Sequence, residues 1–375
     1  KKFPHLVDTG LLNGGVFKHQ DLPPHEIGFF YHGSCSFGCV SHYGFPKFMY
    51  VANAVKIAYS RPHSHFRGIF RMATGFFTHN RCLSEDEGST SLDRPERIEQ
   101  IHTLMQASAL ARRVRVYQAN SASKADILHV HSPEYLEKLR DLAQKGAALT
   151  AETLVTPELL EGAFLSAGAA VEAVRAVLDG TLKNAFVCVR PPGHHAGRQF
   201  GGGFCLINSA ACAVRAATRV LGCRRVALMD VDAHRADGSE DIFAGDASVL
   251  LFDSYQSTAF PYGAARATAA NVIDMPLEDG ALGREVLARM EAEWLPRLYD
   301  FAPDLIVLSF GFDTHYEDTQ TLLKFSEFDY AYLTRLVMRA AHDLCSDRLV
   351  SIMEGGYNKK ALARSVLAHV GTLVQ

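Results

Sequence analysis

Imidazole, carboxylate and phenol side chains follow the ends of apolar runs in this chain. After "NAFVCV" (184–189), in "VRPPGHHAGRQFGGGFC", come Arg190, His194 and His195. After "RRVALM" come Asp230, Asp232, His234 and Asp237. "DLIVLSF" (304–310) is followed by Asp313 and His315, and "LVSIM" (349–353) by Glu354 and Tyr357. Taken singly, each has a plain explanation: a satisfied core histidine, an aspartate capping the next helix, a packed tyrosine. Four such ends in one chain argue for a shared site.

Asp232, His234 and Asp313 offer one imidazole and two carboxylates, a mixed N/O donor set that suits zinc and also iron(II) or manganese. Asp232 and His234 are two apart, so in extended chain their side chains share a face. Three protein ligands leave a coordination position open, as catalytic rather than structural sites do. Amide hydrolysis at such a site needs a general base and a proton for the leaving amine, which gives the tandem His194 and His195 a task. Asp230 and Asp237 are carboxylates that could orient and tune the two imidazoles. Tyr357 in "EGGYN" could hydrogen-bond a carbonyl and the oxyanion that follows it. The glycines of "GGGFC" could line a narrow channel with Phe204 as a wall, or mark a turn.

The elements that must position these residues are strands and helices in alternation. "RPERIEQIHTLMQAS", "SPEYLEKLRDLAQKG", "EGAFLSAGAAVEAVRAVLDG" and "INSAACAVRAATRVLG" (207–222) carry helical spacing, the second opening on the helix-start signal Ser-Pro-Glu. Between them lie the continuous apolar runs, together with "SVLLF". That pattern predicts an α/β fold, a mainly parallel sheet with helices on both faces, and ligands in such sheets bind beyond the carboxyl ends of the strands.

At 375 residues the chain can bury a large core, as one large α/β domain or two smaller ones. A 48% hydrophobic composition with a formal charge of −3 gives no reason to expect nucleic-acid binding, and no apolar run is long enough to span a membrane. Of eight cysteines, Cys188, Cys205, Cys212, Cys223 and Cys345 lie within or beside apolar elements. They are expected to be reduced, packed thiols in a reducing, cytoplasmic setting. No convincing signal peptide opens the chain.

Residues 1–71 differ in character, rich in Gly, His, Phe and Tyr with no helical period, and are expected to form an N-terminal extension. "MATGFFTHNRC" from Met72 looks like a fresh beginning, so the catalytic domain is assigned to 72–375. His32, Cys35, Cys39 and His42 could in principle bind zinc, but their spacing matches no strong finger pattern.

The motifs "RPPGHHA", "GGGFC", "DVDAH", "GFDTHYEDT" and "EGGYN", in this order, resemble the zinc-dependent histone deacetylase family, including its bacterial deacetylase-like and acetylpolyamine amidohydrolase relatives. The likeness runs from about residue 72 to the end. It implies an arginase-like α/β fold, with Zn²⁺ bound by Asp232, His234 and Asp313. His195, paired with Asp237, would be the general base and then acid, and His194, paired with Asp230, its electrostatic support. Tyr357 would polarise the acyl carbonyl. Phe204 and Phe260 would flank the tunnel for the acyl-lysine-like chain, with the Gly203 carbonyl facing it. A K⁺ ion near the zinc is implied too, through the stretch holding Asp230, Asp232 and His234.

Three features depart from the family pattern. Arg235 and Ala236 stand where relatives usually carry a second His and a Gly. Asp253, Ser254 and Tyr255 stand where they usually have Ser-Leu-His, which puts a carboxylate at a K⁺-binding position and suggests that Arg235 and Asp253 compensate each other. Residues 1–71 have no recognised counterpart. The leading expectation is a deacetylase acting on N-acetyl-lysine in a peptide or protein, or on a small acetylated amine such as an acetylpolyamine. A catalytically weak acyl-lysine binder and a two-manganese ureohydrolase of the same fold are the alternatives; the oligomeric state is left open.

Overall fold

The structure, a computed structural model, describes residues 73–84, 91–263 and 269–375. The assignments made for residues 1–71 and for the His32, Cys35, Cys39 and His42 set lie outside them.

Eight strands form one sheet: β1 Ala73–Thr78, β2 Val114–Gln118, β5 Leu182–Val187, β6 Val226–Asp230, β7 Val249–Gln256, β8 Val272–Leu277, β9 Leu305–Phe310 and β10 Leu349–Met353. A small antiparallel hairpin, β3 Ala148–Thr150 and β4 Thr153–Leu154, stands apart. The sheet order is β2-β1-β5-β10-β9-β6-β7-β8, and every neighbouring pair is parallel. β6, β9 and β10 are buried along their whole length. Burial on both faces is why they are unbroken apolar runs rather than alternating ones.

Two groups of helices cover the sheet. Pro157–Leu178 packs with Ser209–Arg219, and Glu96–Ala107 packs with Lys359–Leu373, which in turn contacts Glu327–Cys345. Helix 157–178 starts four residues before the expected "EGAFL" because Thr156 caps the Leu159 N–H and Pro157 takes the first turn, where its missing donor costs nothing. Asn208 and Asn358 cap the helices that follow β5 and β10.

Two strands of the large sheet escaped the sequence pattern, both at its edges. β2 is largely exposed, so "VRVYQ" has no need of a continuous apolar run. β8, "VIDMPL", carries Asp274 and Pro276, and proline is tolerated only where no neighbour needs its missing N–H. β7 runs on past "SVLLF" through Asp253, Ser254 and Tyr255, all buried.

The six described cysteines, Cys82 among them, are buried free thiols, as expected of packed cysteines. No described helix is long and apolar enough to cross a membrane.

Candidate metal centre and active-site pocket

The four strands whose ends carry the polar residues are neighbours. β5, β10, β9 and β6 are adjacent in the middle of the sheet, although chain order separates them widely. Their carboxyl ends bring His194 and His195, Glu354 and Tyr357, Asp313, and the Asp230–Asp237 loop to one place.

Asp232, His234 and Asp313 present three donor atoms within 4.8 Å of one another. His234 Nδ1 lies 3.0 Å from Asp232 Oδ1 and 3.1 Å from Asp313 Oδ2. Both aspartates are fully buried. The chain does not stay extended beyond Asp230; a bend in which Asp232 Oδ1 accepts the His234 N–H at 2.9 Å brings the two ligand side chains together. The Ala233 N–H reaches Asp313 Oδ1 at 3.0 Å, and the Gly355 N–H reaches Asp232 Oδ2 at 2.8 Å. These aspartates therefore serve the loop and the convergent site rather than capping helices. A Cβ on Gly355 would stand 2.1 Å from Asp313 Oδ2, so only glycine lets the backbone approach this closely.

Electrostatics supports a cation here. Burial, then the nearby Asp232 charge, pushes Asp313 up to about 6. Burial would lower the His234 pKa, but its hydrogen bonds to Asp232 and Asp313 outweigh this and raise it to about 10. Two buried carboxylates forced together need a positive partner, and a divalent ion with this N/O₂ set supplies one. The residues fit the metal that the motifs implied.

The tandem histidines are held by different carboxylates. His195 Nδ1 lies 2.7 Å from Asp237 Oδ1, and His194 Nδ1 lies 3.3 Å from Asp230 Oδ2. Burial, with the charge of His194 beside it, lowers His195 to about 4. His194 meets the same burial, yet Asp230 and Asp232 hold its pKa well above the ordinary value. One imidazole is set up neutral and its neighbour charged.

A cavity of about 660 Å³ opens over this site, lined by His195, His234, Gly203, Phe204, Phe260 and Tyr357, and also by Glu152 and Gln320. The Phe260 ring meets His195 edge-on at 4.8 Å, and Phe204 meets Tyr357 edge-on at 5.8 Å. Gly203, with φ +52°, allows no side chain, since a Cβ would stand 2.4 Å from the His195 ring. Its carbonyl accepts the Cys205 thiol at 3.4 Å. Burial keeps the Tyr357 phenol well above its ordinary pKa, so it remains a donor.

Of the groups that hold these residues from behind, the sequence reading picked out Arg190 and Glu354 at strand ends without giving them this role, and missed Arg97, Asp93 and Asp318. Arg97, fully buried, donates to the Glu354 carbonyl at 2.6 Å and the Gly356 carbonyl at 2.7 Å, and its guanidinium lies 5.0 Å from the Tyr357 ring centre. Asp93 binds Arg97 and also Arg190. Glu354 accepts the Gly193 and His194 N–H groups at 2.6 and 3.2 Å, and Asp318 accepts the Tyr357 N–H at 2.7 Å. A charged residue in "RPERIEQI" reads as solvent-facing, and only long-range packing shows otherwise. Arg235 is another case: its main partner is Glu240, at 2.7 Å from Nε, rather than Asp253 alone. Asp253 Oδ2 instead accepts the Ala236 N–H at 3.0 Å.

Fold and pocket together define the class: an α/β protein of arginase/deacetylase type with a candidate metal centre at the carboxyl edge of its sheet, a deacetylase-type amidohydrolase. Residues 91–373 match the family model of the histone deacetylase domain, and the chain belongs to that family. Among its relatives is a probable deacetylase of Archaeoglobus fulgidus, 31% identical over 76% of this chain and 82% of that protein. The histone deacetylase-like amidohydrolase of Pseudomonas aeruginosa is 33% identical over 71% of this chain and 72% of its own length. Mouse polyamine deacetylase HDAC10 is 31% identical over 77% of this chain, which spans 46% of the mouse protein. The crystal structure of the HDA15 HD domain matches with a TM-score of 0.74 at 26% identity, covering 81% of this chain and 90% of that one. Membership in this family takes the place of the ureohydrolase alternative.

Proposed function

We propose that this protein is a zinc-dependent deacetylase that removes an acetyl group from the nitrogen of N-acetyl-lysine in peptides or proteins, or of a related acetylated amine. The observation that carries the reading is the pair of adjacent histidines, each set against its own carboxylate, Asp230 or Asp237, beside the Asp232, His234 and Asp313 donors. A zinc ion held by those three residues would supply Lewis acidity to the scissile carbonyl and make water a better nucleophile at neutral pH.

The side chains supply the rest. His195 is neutral with Nδ1 engaged by Asp237, so Nε2 is free to take a proton from the attacking water and return it to the leaving amine. His194 stays charged and stabilises negative charge developing next to it. The Tyr357 phenol donates to the carbonyl oxygen as that oxygen becomes an oxyanion. Phe204 and Phe260 wall the alkyl chain and exclude water around it. The small-amine form of the reading gains support from Glu152: its carboxylate, which accepts the Gly203 N–H at 3.2 Å, lines the cavity and suits a substrate with a second ammonium group. HDAC10, named a polyamine deacetylase, is among the relatives.

The test runs an acetyl-lysine peptide beside acetylated polyamines on the purified protein. Metal-dependent release of acetate from either substrate supports the reading, and the ratio of the two kcat/KM values assigns the substrate. Binding of acetyl-lysine without turnover would instead favour the binder alternative. The catalytic unit is proposed to lie within 72–375. A chain beginning at Met72 is expected to fold and hydrolyse as the full chain does, and its insolubility would overturn that boundary.

A further inference from the structure

The chain reaches Tyr357 from β10 through Glu354 and two glycines, and consecutive glycines leave a backbone poorly fixed. Neither glycine can be replaced without strain. A Cβ on Gly355 would strike Asp313, and Gly356 holds φ at +119°, in the left-handed region. Arg97 takes up the freedom they leave. Its Nη2 and Nε donate to the carbonyls of Glu354 and Gly356, one on either side of Gly355. The third nitrogen of the fork, Nη1, donates to Asp93 Oδ1 at 2.6 Å. A guanidinium engaged at all three nitrogens has a fixed plane, and that plane decides where the two carbonyls lie.

Asp93 holds a second guanidinium. Its Oδ2 lies 3.3 Å from Arg190 Nε, and its backbone carbonyl accepts Arg190 Nη2 at 2.8 Å. Arg190 leads through Pro191, Pro192 and Gly193 into His194 and His195. Asp93, Arg97 and Arg190 are all buried, so two like charges share the core with this carboxylate in contact with both. Asp93 stands just ahead of helix Glu96–Ala107, one turn before Arg97. One side chain thus joins the segment that bears the phenol to the segment that bears the tandem histidines.

We propose that Asp93 is a positioning residue for the hydrolysis: it orients Arg97, and through Arg97 it sets where the Tyr357 phenol stands relative to His195. Its contact with Arg190 gives the phenol a fixed reference on the histidine side. A misplacement of about 1 Å costs up to 10²-fold in rate, so a residue that never meets the substrate can still govern kcat. The proposal deepens the deacetylase reading and rests on it for the kinetic part of its test. The placement itself is read without turnover.

The experiment is a double-mutant cycle of Asp93→Asn and Tyr357→Phe on the full chain loaded with zinc, using an acetyl-lysine peptide and an acetylated polyamine. Asp93→Asn alone is expected to lower kcat roughly 10–100-fold, with KM and zinc content close to wild type. In the Tyr357→Phe background, where no phenol remains to be placed, the same change is expected to cost no more than about threefold. Asp93→Glu keeps the charge and is expected to regain part of the loss. An equal cost in both backgrounds, or a wild-type kcat for Asp93→Asn, overturns the proposal. Should wild type turn over neither substrate, the deacetylase reading fails, and amide hydrogen exchange decides the placement. Asp93→Asn is then expected to exchange faster over 354–358, whose Gly355, Tyr357 and Asn358 N–H groups are bonded, with strand 349–353 unchanged. Unchanged exchange over 354–358 sinks the idea. If Asp93→Asn does not fold, Arg97→Lys goes through the same cycle: a cost confined to the Tyr357 background supports the proposal, and an equal cost in both refutes it.

Discussion

His195 Nδ1 lies 2.7 Å from Asp237 Oδ1, and that contact leaves Nε2 as the nitrogen to which the proposed function assigns proton transfer. The carboxylate raises the His195 pKa against burial and the neighbouring His194, which together bring it down to about 4. Removing the charge lowers the pKa further, so Asp237→Asn is expected to reduce kcat and to move the acid limb of the kcat/KM profile to lower pH. His195→Ala is expected to cost about 10²–10⁴ in kcat, through loss of proton transfer. An Asp237→Asn enzyme with wild-type kcat and an unmoved limb would remove His195 from the base role.

Tyr357 lines the cavity with Phe204 packed edge-on against its ring, and the proposed function gives its phenol the substrate carbonyl. Tyr357→Phe keeps that packing and deletes one donor. It is expected to lower kcat on the order of 10²–10³ with little change in KM, because the hydrogen bond strengthens only as charge builds on the oxygen. Steady-state kinetics with near-wild-type kcat would show that the carbonyl needs no phenol.

Metal content follows from the three convergent donors. The purified protein is expected to carry about one zinc per chain, with a strong chelator or a hydroxamate abolishing hydrolysis and zinc restoring it after chelation. Asp313→Ala, which removes a buried carboxylate donor, is expected to lose both metal and activity. Elemental analysis of the two proteins makes the comparison, and an Asp313→Ala protein with full zinc would displace the site.

Stability should fall on the acid side, and His369 isolates one reason. Its ring is fully buried between Thr334 and Ser351, at 2.7 and 2.6 Å, among Phe186, Phe310 and Phe312. Burial pushes its pKa from 6.5 down to about 3. Between those values the unfolded chain binds a proton that the folded chain refuses. The stabilisation is therefore complete above pH 6.5 and drains away as pH falls toward 3, at about 1.4 kcal/mol per pH unit for one such group. His369→Gln is expected to be less stable at pH 7 but to lose stability less steeply between pH 6 and 4. Denaturant titrations across that range check it, and parallel slopes for the two proteins would refute the assignment.

The sequence by itself determined the parallel α/β class, because strands covered on both faces must be continuous apolar runs and here they alternate with helices. It also pointed to where the candidate site residues would gather, since a ligand site in such a sheet lies just past the strand ends, and His194, His195, Asp232, His234, Asp313 and Tyr357 converge there. β2 and β8 were illegible because an edge strand has fewer neighbours to satisfy, so Arg115, Asp274 and Pro276 are tolerated. Adjacency was decided only in three dimensions. Nothing in chain order says that β10 and β9 insert between β5 and β6, and that insertion alone brings Tyr357 and Asp313 to the histidines. Register was decided there too: Asp274 joins Asp230 and Asp253 in one acidic row because strands β6, β7 and β8 align, and Arg235 turns to Glu240 because helix Asp237–Phe243 brings that carboxylate back over the loop. Local pattern reports what a residue can do, whereas long-range pairing decides which charges must share a buried space.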